Sequence, residues 1–295
     1  MQALVNFFKA ILGPFRRSGK IAALALRNRL RSESALGTVP TVVSLTSHGD
    51  RVARLWITLE SIANGTSRPS RILVWLDKSL KNRKLPSNLE RLRTRGVEFC
   101  FVNDIGPHQK YFYAIELARK ANMSLATVDD DCIYPAWWLD RLYDGHIKTP
   151  DCIVCYRARV VAFSESSKLK PYNDWPFANY DHPDPCVFFT GVSGVMYPQK
   201  FLSILESCGE VFRQHCPRAD DIWLNYVASK NSFPARQLFH DPWDFPEVPM
   251  TQHLALWTSN QAGGNDDQLA ATYDCETLHK LARSALAEHV MVISQ

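Results

Sequence analysis

The sequence contains no apolar run near the roughly 20 residues that a bilayer-spanning helix requires. The N-terminal run Leu4–Phe15 is short and interrupted by Lys9. No small-residue cleavage site follows it cleanly, which argues against a secretory signal. Cys152-Ile-Val-Cys155 has no companion CxxC or CxxH at zinc-finger spacing, so a structural zinc framework is excluded. The eight cysteines are scattered through apolar surroundings. They are expected to be reduced, buried thiols, and a cytoplasmic setting suits them. Internal repeats and low-complexity tracts are also missing. Up to Arg31 there is no acidic residue, while Lys9, Arg16, Arg17, Lys20, Arg27, Arg29 and Arg31 are all basic. These charges exceed the net +4 of the whole chain, so the remainder is slightly acidic. A nucleic-acid footprint on the main body is therefore not expected.

What is present begins with a basic leader, residues 1–37. Its apolar patches alternate with Arg and Lys, which fits an amphipathic helix lying on an anionic membrane, at the inner face of the plasma membrane. The alternatives are a solvated leader or a helix packed on the following domain. Gly37–Pro40 marks the boundary.

Beyond it, strands and helices alternate. Strand Thr41–Leu45 precedes a helical pattern over 51–63, in which Val52, Leu55, Trp56, Leu59 and Ile62 share a face. Strand Arg71–Leu76, helix Leu85–Arg95, strand Val97–Val102, helix Lys110–Ala121 and strand Ser124–Val128 follow. This order predicts an α/β fold, a mostly parallel central sheet with helices on both faces. Ligands of such sheets sit beyond the carboxyl ends of the strands, where Thr46-Ser47-His48, Asp77, Asp104 and the Asp129–Asp131 triplet all fall. After about Pro150 the pattern loosens into short strand-like pieces and a loop rich in Asn, Asp, Pro and Trp. The expected organisation is a catalytic domain over 38–245, with a nucleotide half at 38–150 and an acceptor half at 151–245. A C-terminal segment, 246–295, closes or flanks the site.

The segment Thr127-Val128-Asp129-Asp130-Asp131-Cys132-Ile133-Tyr134-Pro135 is the most informative. Adjacent carboxylates repel one another unless a cation or donors are close. With strand-like alternation Asp129 and Asp131 share a side and Asp130 points away. Two carboxylates at i and i+2 can hold a hard divalent ion, Mn2+ or Mg2+, and leave positions for phosphate oxygens. A polar loop capping the helix near Pro135 is the plain alternative.

Val128-Asp129-Asp130-Asp131 with Tyr134-Pro135 and Trp138-Leu139 resembles the DxD region of GT-A glycosyltransferases, in particular bacterial family-2-like enzymes of surface polysaccharide synthesis. Three further segments resemble that group in the same order: Ser44-Leu45-Thr46-Ser47 with Arg51, Gly191-Val192-Ser193-Gly194-Val195-Met196-Tyr197-Pro198, and Cys216-Pro217-Arg218-Ala219-Asp220-Asp221-Ile222-Trp223-Leu224. The resemblance covers roughly residues 40–230. It implies a GT-A fold and a metal-dependent sugar transfer from a nucleotide diphosphate donor, with a UDP-sugar the leading expectation. The implied acceptor is a hydroxyl of a glycan or lipid-linked saccharide. Thr46, Ser47, Arg51 and Asp77 are then placed near base and ribose, Lys110 near the diphosphate, and Asp129 and Asp130 on the donor. Asp129 and Asp131 become metal ligands, joined by His240 as a late third ligand.

Asp220-Asp221 parallels the acidic pair that supplies the base in inverting enzymes, with Asp221 as base and Asp220 as helix cap or acceptor binder. Plain readings stand beside these: Asp77 as a turn residue, His240 as a structural histidine, Asp220-Asp221 as an ordinary helix start. Gly191 and Gly194 give backbone freedom where a sugar passes, or a tight turn. Trp175, Trp223, Trp243 and Trp257 are candidates for sugar stacking, while Trp137 and Trp138 are assigned to the core. Asn265-Asp266-Asp267 can reach the site or cap a helix. Two other functions fit the fold. A nucleotidyltransferase would carry a glycine-rich, basic loop after the first strand, where this chain has Thr46-Ser47-His48-Gly49-Asp50-Arg51. A non-catalytic carbohydrate-binding scaffold would have no reason to keep both acidic motifs.

Overall fold

The computed structural model describes residues 17–166, 168–251 and 264–293, so Leu4–Phe15 and Trp257 lie outside the described residues. Among the described residues, nine strands form a seven-stranded sheet and a two-stranded ribbon. The strands are β1 (Val39–Thr46), β2 (Pro69–Asp77), β3 (Glu98–Val102), β4 (Ser124–Thr127), β5 (Ile153–Cys155), β6 (Ala158–Val160), β7 (Val187–Phe189), β8 (Val195–Tyr197) and β9 (Ala235–Gln237). The sheet order is β3-β2-β1-β4-β8-β5-β9, and β6 pairs with β7 in the ribbon. The β1–β2, β1–β4 and β2–β3 pairs are parallel, as are β5 and β9. Only β8 runs against its neighbours β4 and β5. The mostly parallel α/β sheet expected from the alternation is therefore present, with one reversed strand that the alternation did not announce.

The strands lie buried on both faces. Val42, Leu73 and Leu125 point into one core, and Val43, Val74 and Ala126 into the other. This is the period-two signature of a covered sheet. Helices α2 (Leu55–Ala63) and α3 (Ser87–Thr94) pack on the second face through Leu55, Leu59, Leu89 and Leu92. Helix α4 (Gln109–Lys120) covers the first face with Tyr111, Ala114 and Ala118. Helices α5 (Trp138–Lys148), α6 (Gln199–Cys208), α7 (Phe212–His215) and α8 (Asp220–Lys230) complete the two layers. The expected single helix over 51–63 is instead a 3-10 turn, Gly49–Ala53, followed by α2. Gly49 adopts φ +54°, which turns the chain sharply after β1.

The described part of the leader forms helix α1 (17–30), and it packs on the domain. Leu24 is buried against Ile57, Ile133 and Val248. Asn28 Nδ2 donates to Glu60 Oε1 at 2.7 Å, and the Arg91 Nε–H donates to Asn28 Oδ1 at 2.8 Å. Glu60, fully buried on α2, also accepts from Arg95. Of these readings of the leader, residues 17–30 take the docked helix. The membrane-surface expectation is left to residues outside the described ones. No helix among the described residues is long and apolar enough to cross a membrane. The C-terminal segment contributes α9 (Asn265–Thr272) and α10 (Cys275–Ile293). Asp266 of α9 accepts from the Tyr172 backbone N–H at 2.8 Å and so anchors the loop after β6.

Candidate active site

Because β1, β2 and β4 are parallel, their last residues Thr46, Asp77 and Thr127 reach one edge of the sheet. The reversed β8 starts at that same edge, since Val195 lies opposite Thr127. The Gly191–Gly194 turn before β8 therefore hangs beside the acids that follow β4. Gly194 has φ +109°, and a Cβ there would stand 3.0 Å from the Trp138 ring. The Trp138 Nε1–H donates to Ser193 O at 2.8 Å. Gly194 is thus required by the turn and by close packing on Trp138.

The acid triplet lies just past the end of β4. The Asp130 carboxylate is buried and accepts from Ser47 Oγ at 2.5 Å, while Arg51 Nη2 lies 2.8 Å from its Oδ1. Arg51 also pairs with Asp131. Thr58 Oγ1 donates to Asp130 O at 2.8 Å. The Asp129 backbone N–H donates to the Tyr134 hydroxyl at 3.1 Å, and the Asp129 carboxylate takes Lys110 Nζ at 2.6 Å. Ligand atoms of Asp129, Asp131 and Cys132 lie within 4.8 Å of one another. Asp129 and Asp131 thus gather at one point while Asp130 is held by Ser47 and Arg51.

Lys110, on the first turn of α4, connects this cluster to a second one. Ser44 Oγ donates to the Lys110 carbonyl at 2.6 Å, which pins the helix start to β1. Burial lowers the Lys110 pKa, but Asp129, Asp220 and Asp221 more than offset it, and the ammonium is held well above its usual range. Asp220 and Asp221 open α8, whose N-cap is Ala219, so Asp220 is the first helical residue and not the cap. Asp221 Oδ1 accepts the Gly191 N–H at 2.9 Å. The Asn225 Nδ2–H donates to both Asp221 O and Phe189 O at 2.8 Å, locking α8 against β7. Burial, then repulsion from Asp220, raises the Asp221 carboxyl to about 7. Burial raises Asp131 to about 6, reinforced by Asp129 and opposed by Arg51.

His108 ties the start of α4 to the chain just before α8. Its Nε2 lies 2.6 Å from Cys216 O, and a carbonyl only accepts, so Nε2 carries the proton. Its Nδ1 then accepts from the Tyr111 hydroxyl at 2.8 Å. Burial lowers its pKa to about 4, so the ring is neutral. The sequence reading missed His108 and Asn225. Neither carries a local sequence signal: His108 sits in Gly106-Pro107-His108-Gln109, a turn-like stretch, and Asn225 between Leu224 and Tyr226 reads as an ordinary helix residue.

The sequence-derived residues do not all converge. Thr46 Oγ1 donates to Trp75 O at 3.0 Å, at the strand end. Asp77 caps the short turn after β2 by accepting from the Ser79 N–H at 2.8 Å, which lowers its pKa. His240 is exposed, lies 3.1 Å from Asp241, and is outside the group of metal-capable side chains among the described residues. Trp175 and Trp223 are buried at 2% and 3% exposure and present no face to a sugar, a correction to the stacking assignment. Trp243 is 42% exposed and packs edge-on against Trp137.

The residues fit a hard divalent cation. Among the described residues, Asp129, Asp130 and Asp131 pair with the cations Arg51 and Lys110, and Asp220 and Asp221 feel Lys110; the raised carboxyls report a negative excess. Burial keeps the Cys132 thiol well above its usual range, so it stays a neutral neighbour.

No family model and no curated protein sequence matches the chain. Among solved structures, it is similar to 4-diphosphocytidyl-2C-methyl-D-erythritol synthase from Anaerococcus prevotii, at 10% identity and a TM-score of 0.48. That alignment covers 79% of this chain and 99% of the other. It is also similar to a CMP:2-keto-3-deoxy-manno-octonic acid synthetase complexed with CTP, at 9% identity and a TM-score of 0.42 over 75% and 99% of the two chains. These likenesses concern the α/β architecture alone.

Proposed function

We propose that the chain is a metal-dependent glycosyltransferase, moving a sugar from a nucleoside diphosphate donor to an acceptor hydroxyl. The single observation behind this is Lys110. It pairs with Asp129 at 2.6 Å and feels the field of Asp220 and Asp221, so a phosphate-side acid and a base-side acid share one cation. A divalent ion bound by Asp129 and Asp131 would neutralise the departing diphosphate. Lys110 and Arg51 lie where they can hold phosphate oxygens once the carboxylates turn to the ion. Asp221, raised to about 7 and fixed by the Gly191 N–H, is poised to take the proton of the acceptor hydroxyl near neutral pH. Asp220 tunes that acidity by repulsion.

The second reading is nucleotidyl transfer. The two cations beside the acids favour it, since a triphosphate needs both. The glycine-poor loop from Thr46 to Arg51 and the Asp220-Asp221 pair fit sugar transfer better. Incubating the protein with Mn2+ and either a panel of nucleotide sugars with candidate acceptors, or nucleoside triphosphates with sugar phosphates, separates the two readings. Sugar transfer releases nucleoside diphosphate, whereas nucleotidyl transfer consumes nucleoside triphosphate and a sugar phosphate and releases pyrophosphate. Pyrophosphate release without any diphosphate release would overturn the proposal.

A further inference from the structure

Two arginines near the base have no part in the chemistry above. Thr190 donates to the Arg157 carbonyl through both N (3.0 Å) and Oγ1 (3.2 Å). The next residue, Gly191, donates to Asp221. The Arg157 main chain is therefore one residue removed from the group that holds the base. Arg159 follows two residues later on β6, and both guanidinium groups lie over one ring, Phe177, at 4.8 and 4.6 Å from its centroid. Phe177 is 43% exposed.

The two arginines differ in how far they are committed. Arg159 Nη1 donates to Trp175 O at 2.5 Å and its guanidinium also lies over Tyr172. Among the described residues, the Arg157 guanidinium has one carboxylate near it, Asp244, 3.4 Å from Nε and without hydrogen-bond geometry. Its Nε is buried without a hydrogen-bond partner, and the Asp244 side chain is 64% exposed. Two like charges on one ring repel, and an anion placed beside them would relieve that repulsion. An exposed aromatic face next to an incompletely paired guanidinium suits a sugar ring that carries negative charge.

We propose that Arg157, Arg159 and Phe177 form an acceptor subsite that takes an anionic saccharide, one bearing a carboxylate or a phosphate. Calling it the acceptor side rests on the glycosyl-transfer reading; the binding of an anionic sugar does not. The test is direct titration of the whole protein with three probes: methyl glucoside, methyl glucuronide and glucose 6-phosphate. At least one charged probe should bind about tenfold tighter than the neutral one, as a charge-assisted contact implies, and added salt should erode the preference. The carboxylate and phosphate arms identify the anion.

In Arg157→Gln the preference should vanish, whereas Mn2+ with a nucleoside diphosphate should bind as in the wild type. Among the described residues the Arg157 side chain donates to no backbone group, so this variant should fold, and a melt checks that. Phe177→Ala removes an exposed ring and should weaken all three probes. Equal binding of neutral and charged probes, or a preference that survives Arg157→Gln, overturns the subsite. If the preference behaves as expected but no nucleoside diphosphate binds, the subsite stands and the transfer reading falls.

Discussion

Replacing Asp221 by Asn should abolish transfer and at the same time stabilise the protein. The Asp221 carboxyl sits at about 7 in the fold against 3.8 in the open chain, so the folded state holds a proton that the unfolded state has released between those values. Wild-type stability associated with this group is complete below about pH 4 and declines as pH rises towards 7. At pH 8 the ionised, half-buried carboxylate costs about 2–4 kcal/mol, from roughly 1.4 kcal/mol per pH unit reduced for its contact with solvent. Asparagine carries no charge at any pH, and its Oδ1 can still accept the Gly191 N–H. Metal-free Asp221→Asn should therefore melt on the order of 5 °C higher than wild type at pH 8, and the gain should shrink steadily by pH 4.5. Transfer should fall by about 10²–10⁴-fold, the usual contribution of a general base. Paired calorimetric melts across pH, with a diphosphate-release assay, provide the measurement. A variant that melts no higher than wild type at pH 8, or whose gain does not depend on pH, would refute the burial argument; full activity would refute the base.

Asp131→Ala should remove Mn2+-dependent nucleotide binding while the fold remains, read by titration with and without the ion; unchanged metal dependence would sink the ligand assignment. Lys110→Met leaves Asp129, Asp220 and Asp221 without their shared cation, and should destabilise the protein by about 3–5 kcal/mol at neutral pH, less in acid, as seen in denaturant melts. Gly194→Ala forces a side chain into φ +109° and to within 3.0 Å of the Trp138 ring, so a loss of more than about 1 kcal/mol is expected in the same assay.

Much of the fold over residues 38–150 was legible because its signals are local. Val42, Val43, Leu73 and Val74 sit in apolar runs of strand length, and the helices between them repeat at helical spacing, so the order follows without tertiary information. Asp129 and Asp131 stood out because crowded carboxylates are costly without a partner. The tryptophans show the opposite. Residue type says that a ring is large and apolar, but not which side of it faces water, and Trp175 and Trp223 turned out to be core. His240 looked plausible from chemistry alone, yet the chain after β9 leaves it exposed beside Asp241. In the leader, Leu24 and Asn28 find their partners on α2, α3 and the segment after β9, which no pattern within residues 17–30 could reveal.

By itself the sequence determined the alternation of strands and helices, the edge on which the acids gather, and their need for positive charge. These depend on periodicity and on neighbours along the chain. The tertiary structure decided that β8 enters the sheet reversed, that Lys110 stands between Asp129 and the start of α8, and that His108 joins α4 to Cys216. Each of these is a contact between residues far apart in sequence, fixed by how burial and hydrogen bonding are satisfied together in three dimensions.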